Sequence, residues 1–199
     1  MNVNLQREKL MFRYRNSSSL SKSETKQKGM TFIEVLIALV IMVTGILGAV
    51  AMQATAKKGS FDAMQRSLAS SLAQDIIERM RSNNSATLAL YAASSPYGSG
   101  KIISPPTCNS AGALCSPTQM VTHDLYGWEL ALMGAAVTNG ENNVGGLVEG
   151  IGCLSVNGNS VTVVVTWKGK AEYADANKAA ECGVESETRR QVVIEAFII

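Results

Sequence analysis

The stretch Lys28-Gly29-Met30-Thr31-Phe32-Ile33-Glu34-Val35-Leu36-Ile37-Ala38-Leu39-Val40-Ile41-Met42 decides how this chain is read. A basic leader ends in Lys-Gly, and an apolar run follows that continues to Met52. Glu34 is its only strongly polar residue, and Thr31 and Thr44 supply its only hydroxyls. About 20 apolar residues are enough to cross a bilayer as a helix, so the run reads as a membrane segment. An acid within such a segment costs on the order of 3 kcal/mol on insertion scales. Glu34 therefore stands out as a functional residue.

The charges sort the chain into two regions. The net charge is +2. Residues 1–29 carry seven basic side chains against Glu8 and Glu24, whereas the remainder carries 11 basic and 14 acidic residues. Basic flanks stay on the cytoplasmic side, which sends the part after Met52 across the membrane. An exported part with an acidic excess has no patch suited to nucleic acid. Residues 1–29 are too polar to fold and are read as a leader.

Helical signals continue past the apolar run. Phe61, Met64, Leu68, Leu72, Ile76 and Met80 recur at steps of three and four, with charged residues between them. No proline occurs from Met30 to Ser95, so the pattern predicts one helix from Thr31 to about Arg81, roughly 75 Å long at 1.5 Å per residue. Its first half is apolar all round and its second half amphipathic, as for a helix packed on a globular domain. The small Gly45 and Gly48 would let a neighbouring helix approach closely.

From Asn83 to Pro117 the composition turns to Ser, Ala, Gly and Pro, which predicts an irregular connection. Ser116-Pro117 reads as an N-cap with Pro at the first helical position. A short helix should follow to Leu132 or Ala136, burying Met120, Val121, Leu125, Trp128 and Leu132. Two β-branched runs, from Gly150 to Val156 and from Ser160 to Trp167, flank Asn157-Gly158-Asn159, a hairpin signal. A charged loop over 168–188 leads to a last strand from Arg190 to Ile199. The fold class is α+β: a long N-terminal helix, a short helix and an antiparallel sheet of three or more strands. The expected divisions are the leader (1–29), the long helix (30–82, with 30–52 in the membrane) and a globular domain (83–199).

All four cysteines lie after the membrane run. An even count in an oxidising compartment points to two disulfides, and four cysteines allow three connectivities. The favoured pairing is Cys108–Cys115 across a small loop and Cys153–Cys182 from a strand to the loop before the last strand. No CxxC spacing and a single histidine, His123, argue against zinc. His123 beside Asp124 reads as a surface pair, and Trp128 and Trp167 as core residues. No nucleophile with a base, phosphate loop or cofactor motif is evident, so no enzyme activity and no cofactor are expected.

The block GMTFIEVLIALVIM behind a basic leader resembles the type IV prepilin signal. In that family the leader is cut after the glycine, the new N-terminus is methylated, and the fifth mature residue is glutamate. The resemblance implies cleavage between Gly29 and Met30, N-methylation of Met30, and an assembly role for Glu34. The chain departs from major pilins in offering Met30 where they begin with Phe, a choice more typical of minor pilins. The family pairs its glutamate with the free N-terminal amine of a neighbouring subunit, here that of Met30 on an adjacent copy or another pilin. Buried in a water-free bundle, that carboxylate needs such a cation.

The later sequence, including SLAQDIIERMRSN, CSPTQMVTHDLYGWELAL and VTVVVTWKG, is similar to the PilV-type minor pilins, the type IV pilus modification proteins. That likeness implies a minor subunit acting in initiation of pilus assembly, surface display, twitching motility and adhesion. The implied partners are the prepilin peptidase, other minor pilins, the major pilin and the inner membrane. The implied place is single-pass in that membrane with a periplasmic domain, and in the pilus once assembled. Two alternatives remain at this point: a minor pseudopilin of type II secretion, and a membrane-anchored periplasmic enzyme or sensor.

Overall fold

The computed structural model describes residues 29–101, 104–105, 107–108, 114–135, 137–140, 142–170, 172 and 182–199. The leader before Gly29 and most of the loop expected over 168–188 lie outside the described residues. The chain divides into two units, 1–47 and 48–199.

Helix α1 covers Phe32–Ser82 without interruption. In the first unit it is exposed on every side: no large apolar side chain from Met30 to Leu47 is less than 41% exposed. In the second unit one face is buried, formed by Gln65, Ala69, Leu72, Ala73, Ile76, Ile77 and Met80.

This corrects the expected stripe at its start. Met64 is 57% exposed and Gln65 only 3%. Hydropathy alone favours methionine, but the neighbouring backbone needs an amide: Gln65 Oε1 accepts from Val148 N–H at 3.0 Å and its Nε2 donates to Gly146 O at 3.4 Å. Both backbone groups would otherwise lack a partner, a costly state when buried.

The segment expected to be irregular holds a 3₁₀ turn, Ser85–Thr87, and a short helix α2, Leu88–Ala92. Asn84 starts the turn by accepting from Ala86 N–H at 2.9 Å. Helix α2 buries Leu88 and Tyr91. At five residues it is too short for periodicity to reveal.

Helix α3 spans Pro117–Met133, with Ser116 and Gln119 forming a complete capping box. Gly134 ends it at φ 70°, and a Cβ there would lie 1.9 Å from the Gly145 carbonyl. The turn therefore requires glycine. A ribbon of β1 (Thr138–Asn139) and β2 (Asn142–Asn143) follows.

The main sheet is antiparallel in the order β3-β4-β5, with β3 at Ile151–Asn157, β4 at Ser160–Lys168 and β5 at Arg189–Phe197. Asn157 pairs with Ser160, leaving a two-residue loop whose first member, Gly158, has φ +59°. Positive φ at that place is what a tight hairpin turn asks for. Period 2 puts Val161, Val163, Val165 and Trp167 on one face of β4, and all four are buried.

These strand residues join the buried face of α1 and Val121, Leu125, Trp128 and Leu132 of α3 in one core. Trp128 is its centre, fully buried, with Nε1 donating to Leu72 O at 2.8 Å. Tyr97 meets it edge-on at 5.6 Å between ring centroids. Gly152 makes room for it, since a Cβ there would lie 2.3 Å from the indole. Cys108 is joined to Cys115 and Cys153 to Cys182, with Cα–Cα distances of 5.4 and 5.8 Å.

Candidate processing and assembly site

Gly29 and Met30 lie in non-helical backbone ahead of α1, and both are exposed, Met30 to 77%. Thr31 begins the helix. Its carbonyl accepts from Glu34 N–H at 3.1 Å and Val35 N–H at 3.3 Å, and its Oγ1 accepts from Glu34 N–H at 3.4 Å. Thr31-Phe32-Ile33-Glu34 thus has the spacing of a capping box, with the acid in the first turn where the helix dipole favours negative charge.

Sequence reasoning assigned Glu34 only to assembly and passed over Thr31, although the Thr-x-x-Glu spacing was there to be read. Glu34 lies in the first turn of α1, four residues after the exposed Met30.

Beyond that turn, the remaining hydroxyl of the apolar run is satisfied within the helix. Thr44 Oγ1 donates to Val40 O and Ile41 O, both at 3.0 Å. A hydroxyl bonded back to its own helix does not obstruct burial in lipid. At Gly45 and Gly48 an added Cβ would meet nothing within 4 Å, so nothing among the described residues demands glycine there. The helix is long and apolar enough to cross a membrane, with none of its most apolar window buried.

In the globular unit the titratable groups act as structural ties. Asp124, expected on the surface beside His123, is 7% exposed. It accepts from Tyr91 OH at 2.7 Å and lies 3.7 Å from Arg79, which also binds Asp75 at 2.9 Å. The surface-pair reading is corrected: neutralisation by Arg79 and the Tyr91 hydroxyl let the carboxylate turn inward. Burial, with Asp124 accepting the hydroxyl proton, pushes Tyr91 above the usual phenol range, and the Asn83 amide opposes this.

Glu129, 3% exposed, is a second inward acid. One oxygen accepts from the N–H groups of Gly98, Ser99, Gly100 and Lys101 at 2.9–3.4 Å, so the carboxylate organises that loop. Burial pushes the neighbouring Tyr97 phenol up to about 12. Near the end of the sheet, Arg189 is 4% exposed, with its Nη1 4.0 Å from Glu149. Burial lowers its pKa and Glu149 partly restores it.

Among the described residues no group of three or more His, Cys, Asp or Glu could hold a metal ion. A cleft lined by Leu90, Ser94, Lys101, Thr122, Leu125 and Glu129 lies along α3. The acid in it is committed to backbone donors.

Two sequence families match the chain. The family described as Prokaryotic N-terminal methylation motif matches residues 25–50, and that described as Type IV pilin Tt1218 matches residues 51–126. No curated protein and no solved structure matches it. The two matches adjoin, covering the exposed Gly29–Met30 end, all of α1 and the domain as far as α3. With the long apolar helix, short helix and antiparallel sheet, they make this chain a membrane-anchored member of the type IV pilin family.

Proposed function

We propose that this pilin is a minor subunit of the type IV pilus. In this reading prepilin peptidase cuts between Gly29 and Met30, and Met30 becomes the methylated N-terminus. The chain is anchored once in the inner membrane with its domain in the periplasm, where the disulfides Cys108–Cys115 and Cys153–Cys182 form. The subunit takes part in initiating pilus assembly with other minor pilins and the major pilin, and so in surface display, twitching and adhesion. The observation that carries the reading is the Met30–Glu34 end: an exposed Gly-Met junction one turn from an acid, followed by a helix apolar on all sides.

Glu34 is the working group. Cleavage creates an amine at Met30, and a carboxylate excluded from water is stabilised when such a cation on a neighbouring subunit meets it. A subunit out of axial register leaves one of the two charges unpaired, so the pair sets register. Met30 in place of Phe and the later sequence's similarity to PilV-type minor pilins support the minor role.

The test is the intact mass of the protein from membranes of cells with and without the peptidase. The expected result is peptidase-dependent loss of 1–29 with a methyl group added to Met30. A full-length mass in both strains overturns the reading. Glu34→Leu should still insert, and by removing a buried acid should do so more readily by about 3 kcal/mol. It should nevertheless fail to enter pili, which sheared-pilus blots would read.

A further inference from the structure

A cavity of about 360 Å³ lies between α1 and the end of the main sheet, lined by Asp62, Ala63, Arg66, Trp167 and Arg190. Two elements bring these residues together. Asp62 and Arg66 are one turn apart on α1, and Trp167 and Arg190 pair directly across β4 and β5. All of them belong to the second unit.

The first mark of this cavity is an unused donor. Trp167 is 2% exposed, and its buried Nε1–H meets no hydrogen-bond acceptor. The other tryptophan, Trp128, gives its N–H to Leu72 O. A buried donor without an acceptor is costly, and a bound species that supplies one accounts for it.

The second mark is charge. Arg66 makes no ion pair among the described residues. Arg190 Nη2 stands 3.7 Å from Asp62 Oδ2, while Asp62 Oδ1 accepts from Lys170 N–H at 2.9 Å. Lys170 Nζ lies 5.3 Å over the Phe61 ring. Among the described residues, three cations thus gather about one acid, and both oxygens of that acid are engaged.

We infer that this cavity binds a small soluble oxyanion, a phosphate or carboxylate group. The guanidinium forks of Arg66 and Arg190 take its oxygens, and the Trp167 indole is a further donor. Such forks match oxyanions in shape, and neither they nor an indole N–H can accept a hydrogen bond. Nε1 is covered, so binding includes a side-chain shift in the cavity wall.

Position on the helix separates a soluble ion from a lipid headgroup. Asp62 follows Met52, where the apolar run ends, by about 15 Å at 1.5 Å per residue. The headgroup layer is only about 5–8 Å deep on each side of a bilayer. The inference depends neither on leader cleavage nor on the pilus role.

The test is thermal unfolding of the full chain in micelles of an uncharged detergent. Sodium phosphate and sodium acetate are each compared with sodium chloride at equal ionic strength. At about ten times its Kd, a bound anion should raise the midpoint by about 4 °C. Arg66→Gln, at an exposed position, should unfold at the wild-type midpoint in chloride and lose that rise. Asp62→Asn should lower the anion concentration needed, and Trp167→Phe should raise it several-fold. The inference is overturned if neither anion exceeds chloride, or if Arg66→Gln keeps the full rise. It is equally overturned if phosphatidylglycerol added to the micelles stabilises through Arg66 while the free anions do not.

Discussion

Residues 32–47 and 65–80 belong to the same helix, yet they solve opposite problems. In the first stretch every large apolar side chain is at least 41% exposed, whereas in the second Ala69, Ala73, Ile76 and Met80 are fully buried. Backbone bonding is the same, so the difference lies in what covers the side chains. The second stretch buries a face against a sheet and α3 within its own unit. The first is apolar all round and has only Thr31, Glu34 and Thr44 as polar positions. Nothing among the described residues covers it, and lipid is a cover suited to a helix so apolar. Helix propensity makes neither stretch stable alone; tertiary burial or membrane insertion does.

The largest effect that should separate the two is at Trp128. Trp128→Ala removes the centre of the core and the indole donor that Leu72 O accepts in addition to its helical one, and should cost about 3–5 kcal/mol in thermal unfolding of the domain. Leu39→Ala, also a large truncation but in the exposed stretch, should leave the same unfolding transition within about 0.5 kcal/mol. Removing Cys153 and Cys182 together should cost about 3 kcal/mol by releasing the loop between them.

Alkaline titration probes the covered region through its tyrosines. The folded Tyr97 phenol titrates at about 12 against 10.0 for a free one. The folded state therefore holds the proton more tightly, and stability is fully present below pH 10. It should fall as pH rises from 10 towards 12, by at most about 1.4 kcal/mol per pH unit for each such group. Tyr91, raised for the same reason, acts in the same direction. Tyr97→Phe should flatten part of that slope, read from unfolding curves at pH 9 and 11.

A smaller effect contradicts hydropathy. Gln65→Leu makes α1 more apolar, yet should destabilise by about 1–3 kcal/mol, because Val148 N–H and Gly146 O lose their partner. Met64→Gln makes it more polar and should change little.

Such positions mark where sequence reading stops. The long helix, the Ser116-Pro117 start of α3, the Asn-Gly hairpin and three strands were legible, because each rests on periodicity or turn chemistry within a few residues. Glu34 stands out in the sequence because polarity is conspicuous in an apolar run, whereas the Gly29–Met30 junction rests on the resemblance to the prepilin signal. Gln65, Asp124 and Glu129 were not. Each is buried by a partner far away in sequence, such as Val148, Tyr91 or the loop at Gly98–Lys101, and local pattern carries no trace of that pairing. The short α2 was missed because five residues give no period.

The weakest of these ties is at the surface. Lys168 Nζ lies 2.8 Å from Glu149 Oε1, and both side chains are about half exposed. The hydrogen bond from Lys168 holds Glu149 below the usual carboxylate pKa, with Arg189 adding to it. A lowered folded pKa stabilises above the unfolded value, 4.5, and that contribution is lost as pH falls through the folded one. Solvent screens so exposed a pair, so Lys168→Ala should cost under about 1 kcal/mol at neutral pH and nothing measurable in acid. A larger cost would mean that Lys168 also steadies the buried Arg189 through Glu149. Glu149→Gln should then destabilise the domain as much as Lys168→Ala does, a comparison that unfolding curves at pH 7 and pH 3 would make.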